Sequence, residues 1–460
     1  MSDTLKKGAQ LTLQIKDLNN LGFGVAHAPD GRAVFVAGCV TGDIASVQII
    51  KVNKTFAVAR LLEILTPSPD REDGFCNAAA GCGGCVYRYL TYERELALKQ
   101  SYVAHAFRKA GLADVTVEPV RTTGQTKHYR NKAEYPIANG KNGLYGGFFA
   151  SKTHRVVAGD ACSLQPSVFG EILRATCEFF SARGVTAYDE ETGKGVLRHL
   201  YLRQGVGSGE LIVTPVINAD TLPYADEYVA MLRERFPTVS SVLFNVNKKS
   251  TNVVLGKEFH TLYGKPYLTD VLCNRRFCIA PDSFYQVNHD ATELLYGIAA
   301  ERTGLDGKGL LLDLYCGAGT IGLSMAHLAN ELVGIEIVPA AVACAKENAA
   351  ENGVQNAAFY CGDAADAEQL LAEAERARGT LHPDVVILDP PRKGCDKALL
   401  DFLAARNVPR IVYVSCGPDS LARDCAILRA LGYEIGNVTP VDLFPRTGHV
   451  ENVVCLTKHH

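Results

Sequence analysis

The chain has 460 residues, of which 47% are hydrophobic and 21% are charged, so it is long enough for about three domains and has the composition of a globular protein with a sizeable core. A formal net charge of −3 argues against recognition of a polyanion through a global positive field, and any contact with nucleic acid must therefore use local basic patches. We expect no contact with a membrane, because no run approaches the roughly 18 apolar residues of a membrane helix. The first residues lack the apolar segment of a secretory signal, and the 15 cysteines then indicate a reducing, cytoplasmic setting without a disulfide framework.

Short apolar runs separated by turn signals occupy residues 9–65, and one of these turn signals is Asp30-Gly31. Runs of this length with turns between them are typical of a small all-β module, and we predict a β-barrel. Pro67, Pro69 and the charged residues after them indicate a linker. The sequence therefore predicts a first domain over residues 1–68.

The predicted second domain, residues 69–280, mixes helical and strand patterns whose topology does not follow from the sequence. Four of its cysteines are candidate metal ligands: Cys76, Cys82, Cys85 and Cys162. The first three lie close together in a glycine-rich stretch, whereas the fourth is remote. Four thiolates suit either tetrahedral zinc or an iron–sulfur cluster, and the spacing alone does not choose between them.

Local basic patches also occur in this second domain. Arg130 and Lys132, in Tyr129-Arg130-Asn131-Lys132, are candidate RNA contacts. The alternative for each is a solvated surface position, so they permit RNA binding without demonstrating it.

From about residue 282 onward, strand patterns alternate with helical patterns, which is typical of a doubly wound α/β unit. We therefore predict a third domain over residues 281–460, within a multidomain α/β protein. Its first strand runs into Tyr315-Cys316-Gly317-Ala318-Gly319 and then into a helix. Gly317 and Gly319 in such a turn let the backbone approach a ligand closely.

Acidic residues follow the next two strands. Glu336 ends one of them, where a carboxylate can accept both hydroxyl hydrogens of a ribose. Asp363 follows the other and is placed to meet an adenine edge. Taken alone, this pattern is the dinucleotide fingerprint, so an NAD-type oxidoreductase is an alternative at this point.

The ends of two later strands favour a methyltransferase instead. Asp389 is followed by Pro390 and Pro391, a common methyltransferase signature that sets a rigid carboxylate beside the acceptor base. Cys416 ends the following strand, and a thiol beside a cofactor at a strand's carboxyl end is a candidate nucleophile. For a lone cysteine, the alternative is a small buried hydrophobe.

The cysteine indicates which atom is methylated. Carbon 5 of uracil is a poor nucleophile, but addition of a thiolate at carbon 6 makes an enolate that can attack a methylsulfonium. A base must then remove the proton from carbon 5 so that the thiol can leave. Glu451 precedes the last apolar run, and if that strand is antiparallel, this carboxylate starts at the cofactor end and faces Cys416.

With these motifs in this order, the chain resembles the RNA (uracil-5-)-methyltransferase family, which makes 5-methyluridine with S-adenosylmethionine. The resemblance covers nearly the whole chain and implies a TRAM-type β-barrel, a cysteine-bearing central domain and a C-terminal Rossmann-like methyltransferase domain. It favours structured RNA, above all 23S ribosomal RNA, as the partner, with transfer RNA as the alternative. We expect a monomer without an obligate protein partner.

Carried over residue by residue, the resemblance implies Cys416 as the nucleophile and Glu451 as the proton acceptor. It implies that Phe284 touches the target base. The residues expected to contact the cofactor are Gln286, Tyr315, Gly317, Gly319, Glu336, Asp363 and Asp389. For the four cysteines it favours a 4Fe-4S cluster with a structural role, with zinc as the less favoured alternative.

Two further alternatives stay open. Methylation of an exocyclic adenine nitrogen also uses Asp-Pro-Pro, but an aromatic residue normally follows, whereas Arg392 follows here. A non-catalytic RNA-binding protein could keep a disused cofactor fold, and the intact Cys416 and Glu451 argue against it.

Overall fold

The computed structural model describes residues 5–73, 76, 81–363, 366 and 369–458. Successive stretches of the chain form separate sheets, each packed on a hydrophobic core of its own. Within these ranges, none of the helices has both the length and the apolar character that crossing a lipid bilayer requires.

The first sheet is built from short strands with alternating buried and more exposed positions, as expected for strands with one face on a core. Its strands are β1 (Gln10–Gln14), β2 (Asp17–Leu18), β3 (Phe23–His27), β4 (Ala33–Ala37), β5 (Ile44–Val52) and β6 (Phe56–Thr66). They lie in the order β1-β5-β6-β4-β3-β2, and all pairs are antiparallel except β4 with β6. The predicted N-terminal all-β domain is confirmed.

A buried carboxylate ties this first sheet to the segment that follows it. Asp43 accepts hydrogen bonds from the backbone N–H of Val40 (2.8 Å) and of Ser68 (2.9 Å) and from Arg71 Nη2 (2.8 Å). The stretch predicted as a linker is therefore held against the first sheet by charge-assisted hydrogen bonds.

The second sheet and its helices form the mixed centre of the chain. These elements are β7 (Lys132–Gly140), β8 (Gly143–Phe149), β9 (Val156–Ala158), α2 (Ser167–Ser181), β10 (Leu197–Gln204), β11 (Leu211–Ile217), α3 (Ala225–Arg235), β12 (Val239–Val246) and β13 (Glu258–Tyr263). The strand order is β13-β12-β11-β10-β7-β8-β9, and α2 and α3 bury aromatic and aliphatic side chains against the sheet. The predicted α+β centre is confirmed.

The third sheet carries the C-terminal half of the chain. Its strands are β16 (Leu310–Leu314), β17 (Glu331–Glu336), β18 (Ala357–Cys361), β19 (Val385–Leu388), β20 (Arg410–Ser415), β21 (Tyr433–Val441) and β22 (Glu451–Lys458). The order is β18-β17-β16-β19-β20-β22-β21; the first five strands are parallel, and β22 is antiparallel to both of its neighbours. The predicted Rossmann-like fold is confirmed, and the condition that the last strand is antiparallel is met.

Helices cover both faces of the third sheet, which explains why its parallel strands read as nearly continuous apolar runs. These helices are α4 (His289–Thr303), α5 (Thr320–Met325), a 3₁₀ turn (Ala326–Leu328), α6 (Pro339–Glu351), α7 (Ala372–Arg378), α8 (Lys397–Ala405) and α9 (Pro418–Ala430). Two elements from the predicted second domain also pack here: α1 (Tyr92–Lys109) and the hairpin of β14 (Leu268–Leu272) and β15 (Arg275–Ile279). The domain limits at 68 and 280 therefore stay a prediction.

Candidate active site

The glycine loop after β16 is shaped to admit a ligand. Gly317 has a φ of +55°, and a Cβ added there would meet no other atom within 4 Å. Its N–H donates to a carboxylate oxygen of Glu336 at 3.1 Å, so the loop and the end of β17 are joined. Gly319 also has a positive φ but is buried against Leu323 and Phe359. It serves the turn, whereas Gly317 leaves open space beside the backbone.

Two neighbouring cavities surround this loop. The larger, about 430 Å³, is lined by Phe284, Tyr315, Gly317, Glu336 and Asp389, among others. The smaller, about 270 Å³, lies between Asp363 and the end of β17. Tyr315 and Glu336 line both, so the two cavities are adjacent parts of one elongated site.

Gln286 is absent from the described residues that line these cavities, although Phe284, two positions earlier, is among them. The backbone carbonyl of Gln286 accepts a hydrogen bond from Asn131 Nδ2 at 3.0 Å. Its predicted contact with a cofactor therefore stays a prediction.

The register of β20 and β22 brings the two predicted catalytic residues to the same point. Ser415 pairs with Asn452 across this antiparallel ladder, so the next step in each chain sets Cys416 opposite Glu451. Directly opposed residues have Cβ atoms about 4.5–5.5 Å apart. Cys416 follows β20 at the carboxyl edge of the parallel strands, and Glu451 is the first residue of β22. We call this pair with Asp389 the catalytic edge.

The charges at the catalytic edge influence one another. Burial raises the pKa of the Cys416 thiol, the carboxylates of Glu451 and Asp389 raise it further, and the Arg392 guanidinium opposes them. Burial likewise raises the pKa of Glu451 to about 8, with Asp389 adding to the rise and Arg392 opposing it. Desolvation raises the pKa of Asp389 to about 7. The site can therefore hold and release protons near neutral pH.

The thiol opens onto a cleft of about 520 Å³. Cys416, Arg130, Arg392 and His449 line it, together with Leu21 from the first sheet. Arg130 also lines a second cavity described below, whereas Lys132 lines that second cavity, is not among the described residues that line this cleft, and forms an ion pair with Glu134 (2.9 Å). The structure thus brings one of the two predicted basic contacts to the cleft.

A buried ion network, absent from the sequence analysis, supports the segment that leads into β22. Lys99 Nζ on α1 donates to Glu95 and to Asp442, each at 2.7 Å, and these side chains are almost completely buried. The Arg446 N–H, in a residue with φ of +70°, donates to Glu95 at 2.7 Å. No sequence motif marks this network, because Lys99 and Asp442 are far apart in the chain.

A second missed residue is Asp313, the polar residue in the otherwise apolar strand β16. Its buried carboxylate accepts from the Gly322 N–H at 2.9 Å, and burial raises its pKa to about 7. It therefore holds the start of α5 against the strand. An acidic residue inside an apolar run just before a glycine turn is a signal that the sequence does contain.

The four predicted ligand cysteines line one cavity of about 270 Å³, which we call the cysteine cavity: Cys76, Cys82, Cys85 and Cys162. Burial and the neighbouring thiols raise the pKa of Cys85 to about 12. Arg88 donates to the carbonyls of Cys85 (2.9 Å) and Cys82 and so braces the loop. Among the described residues, no three His, Cys, Asp or Glu side chains are grouped so that they could hold one metal ion.

Comparison with known families matches both ends of the chain. A model of the TRAM domain matches residues 5–62, and a model of the tRNA (Uracil-5-)-methyltransferase family matches residues 257–459. These ranges correspond to the first sheet and to the part of the chain that contains the third sheet.

Whole-chain relatives agree with these matches. Proteins of Halalkalibacterium halodurans and Bacillus cereus, each named as an uncharacterized RNA methyltransferase, are 37% and 38% identical; the alignments cover 98% and 100% of this chain and 98% of each relative. The crystal structure of Pyrococcus abyssi tRNA (uracil-54, C5)-methyltransferase in complex with S-adenosyl-L-homocysteine superposes with a TM-score of 0.78 at 26% identity, over 97% of this chain and 100% of that one. The agreement of fold, family models and whole-length relatives makes this chain a member of the RNA uracil-5-methyltransferase family, an S-adenosylmethionine-dependent enzyme that carries a TRAM domain.

Proposed function

We propose that this enzyme methylates carbon 5 of a uridine in structured RNA through a covalent bond between Cys416 and carbon 6. The observation that carries the proposal is the β20–β22 register, which sets Cys416 opposite Glu451. Asp389 lies close enough to affect the pKa of both residues and also lines the larger ligand cavity. Nucleophile, base and cofactor cavity therefore share one edge of the sheet, where reacting groups gather in such folds.

In the proposed reaction, each bond that forms is matched by a bond that breaks. The Cys416 thiolate adds to carbon 6, and the electron pair of the ring double bond moves to carbon 5 and the carbonyl. Carbon 5 then bonds to the methyl group that S-adenosylmethionine supplies when bound, the S–CH3 bond breaks, and its electron pair stays on the sulfur of S-adenosylhomocysteine. Glu451 takes the proton from carbon 5, the double bond re-forms, and the bond between Cys416 and carbon 6 breaks to release 5-methyluridine and the Cys416 thiolate.

A bound S-adenosylmethionine fits the residues around the glycine loop. We assign its ribose hydroxyls to Glu336 and its adenine edge to Asp363, because these carboxylates belong to adjacent cavities. The open space beside Gly317 admits the ligand next to the backbone. We propose that Tyr315 and Asp389 complete the contacts, with Gln286 and Gly319 in support.

We also propose that the cysteine cavity holds a 4Fe-4S cluster with a structural role. Four thiols around one cavity suit it, and the basic residues Arg88, Arg130 and Lys132 in the same lining favour an anionic group. Tetrahedral zinc is the less favoured alternative for the same four thiols. Iron and acid-labile sulfide measured in anaerobically purified protein test this assignment, and stoichiometric zinc without iron would refute it.

For the RNA, we propose 23S ribosomal RNA, to which the combined TRAM and cysteine motifs point. The second candidate is transfer RNA, which the similarity to the Pyrococcus abyssi tRNA (uracil-54, C5)-methyltransferase favours. Mapping of 5-methyluridine across total RNA from cells with and without this protein separates the two. Loss of the modification from 23S RNA alone supports the first.

The covalent step is tested by trapping. RNA transcribed with 5-fluorouridine carries no removable proton at carbon 5, so the adduct cannot break down and should migrate as a stable protein–RNA complex. Mass spectrometry should then find the nucleotide on Cys416. A crosslink on another side chain, or none with an enzyme active on normal RNA, would refute the proposal.

A further inference from the structure

The TRAM domain contributes a loop to the cleft that holds the nucleophile. Residues 19–22 connect β2 to β3, and Asn20 and Leu21 line the same cavity of about 520 Å³ as Cys416. The side chain of Leu21 is 65% exposed. An apolar side chain is thus displayed to solvent at the mouth of the active site.

Backbone hydrogen bonds hold this loop in shape. Asn19 Oδ1 accepts from the N–H of Leu21 (3.1 Å) and of Phe23 (2.9 Å), and the Gly22 N–H donates to the Asn19 carbonyl (2.9 Å). Gly22 has a φ of +76° and packs so closely on Val86 that a Cβ would clash with it. Leu21 therefore projects from a preformed turn.

The loop is also fixed relative to the catalytic edge. The carbonyl of Asn20 lies directly against Gly448, where any Cβ would collide with it. Gly448 precedes His449 in the cleft and lies three residues before Glu451. This close packing of the loop on the segment before Glu451 sets the position of Leu21 relative to the catalytic edge.

We propose that Leu21 is a wedge that enters the RNA base stack beside the uridine when that base leaves the stack to reach Cys416. The inference rests on the proposed covalent methylation of a uridine in structured RNA. Extrusion of a base costs a few kcal/mol of lost stacking. Leucine is among the side chains that nucleic-acid-binding proteins insert between bases. Arg130 and Arg392 in the same cleft supply the positive charge that draws a phosphate backbone there.

The test compares Leu21→Ala with two other variants. Leu21→Met keeps an apolar wedge, and Leu62→Ala removes a half-exposed leucine of the same domain that does not line the described part of the cleft. Transfer of tritium-labelled methyl groups is measured on folded 23S RNA and on short single-stranded fragments of that RNA. Both RNAs are isolated from cells that lack the protein.

Leu21→Ala should lower kcat on folded RNA by about tenfold to hundredfold, with KM changed by less than about threefold, because phosphate contacts dominate affinity. On the fragments, where no stack has to be opened, its rate should stay within about twofold of wild type. Leu21→Met and Leu62→Ala should behave as wild type on both RNAs. Equal rates of Leu21→Ala and wild type on folded RNA, or equal losses on both RNAs, would overturn the wedge. A wild-type enzyme that methylates neither RNA would instead overturn 23S RNA as the substrate, and the same comparison on folded transfer RNA and its single-stranded fragments then decides the wedge.

Discussion

The catalytic edge and the cysteine cavity both gather reactive side chains, but different structures hold them. At the edge, Cys416 and Glu451 sit at the ends of two paired strands, so the ladder sets their relative position to within one residue. In the cavity, Cys82 and Cys85 lie in a loop, and Cys162 lies in another loop just before α2. The strand register therefore holds Cys416 and Glu451 in position before a ligand binds. The cysteines lie in loops, so their arrangement depends on the group that they bind.

The largest expected effect comes from removing the nucleophile at the catalytic edge. Cys416→Ala should lower methyl transfer by at least about 10⁴-fold, because an alanine side chain cannot form the bond to carbon 6. Binding of RNA and S-adenosylmethionine, measured by filter retention and calorimetry, should stay within about threefold. Cys455→Ala, a cysteine of the adjacent strand, is the control. Substantial activity in Cys416→Ala would remove the covalent mechanism.

Replacing the base should block the reaction at a later step. Glu451→Gln keeps the shape of the side chain but cannot accept the proton from carbon 5, so turnover should fall by about 10²–10⁴-fold. The methylated adduct should then accumulate as a protein–RNA complex on denaturing gels with ordinary uridine. Glu171→Gln, an exposed residue of α2, should have no effect. A loss of activity without any adduct would assign Glu451 a different role.

These two residues were accessible from the sequence because strand periodicity and an antiparallel last strand are enough to place them. The alternation of helices and strands followed from the same patterns, whereas the strand order did not, because periodicity marks a strand without identifying its neighbours. The support from α1 did not, since Lys99 and Asp442 meet only in the folded chain. The packing of α1 on the third sheet was missed for the same reason. The apolar face of this helix shows that it packs on a core, but it does not show which sheet provides that core.

The buried ion network connects the segment before Glu451 to α1. Replacing Lys99, its cation, tests how far activity at the catalytic edge depends on the network. Lys99→Met should lower the free energy of unfolding by about 3–5 kcal/mol, because Asp442 loses the ammonium that it contacts and Glu95 keeps only the more distant Arg446 guanidinium. Release of the segment before β22 should also lower kcat by about tenfold. Lys109→Met, at an exposed position of the same helix, is the control. Urea denaturation and methyl transfer measure the two effects, and unchanged stability would show that the network contributes nothing.

The edge should also be sensitive to pH. With the pKa of Glu451 raised to about 8 by burial, the carboxylate is mostly protonated at pH 7 and must lose its proton to act as a base. Since the active form gains as pH rises, kcat should increase about fivefold from pH 7 to pH 8. Glu451→Gln should lose the part of this rise that Glu451 contributes and keep only the part that comes from ionisation of the Cys416 thiol, whose pKa burial raises. A profile that falls over this range would contradict the assignment of the base.

The smallest expected effect on catalysis comes from the cysteine cavity. Cys82→Ser should abolish the visible absorption that the proposed cluster would give and lower the free energy of unfolding by about 3 kcal/mol or more, because the proposed group would stabilise only the folded chain. Methyl transfer by the folded fraction should fall by less than about tenfold, since the ladder that aligns Cys416 with Glu451 does not pass through this loop. Cys278→Ser, in the β14–β15 hairpin, controls for loss of a thiol.

Arg130 lines both the cysteine cavity and the cleft that contains Cys416. A rearrangement of the cysteine cavity could therefore displace Arg130 and change how the cleft binds RNA. If Arg130 is displaced in this way, Cys82→Ser should raise KM for RNA while kcat stays within about threefold, because a displaced cation weakens binding more than chemistry. A collapse of kcat in folded Cys82→Ser protein, as complete as in Cys416→Ala, would mean that the cavity takes part in the reaction. The contrast between a chemical edge and a structural cavity would then fail.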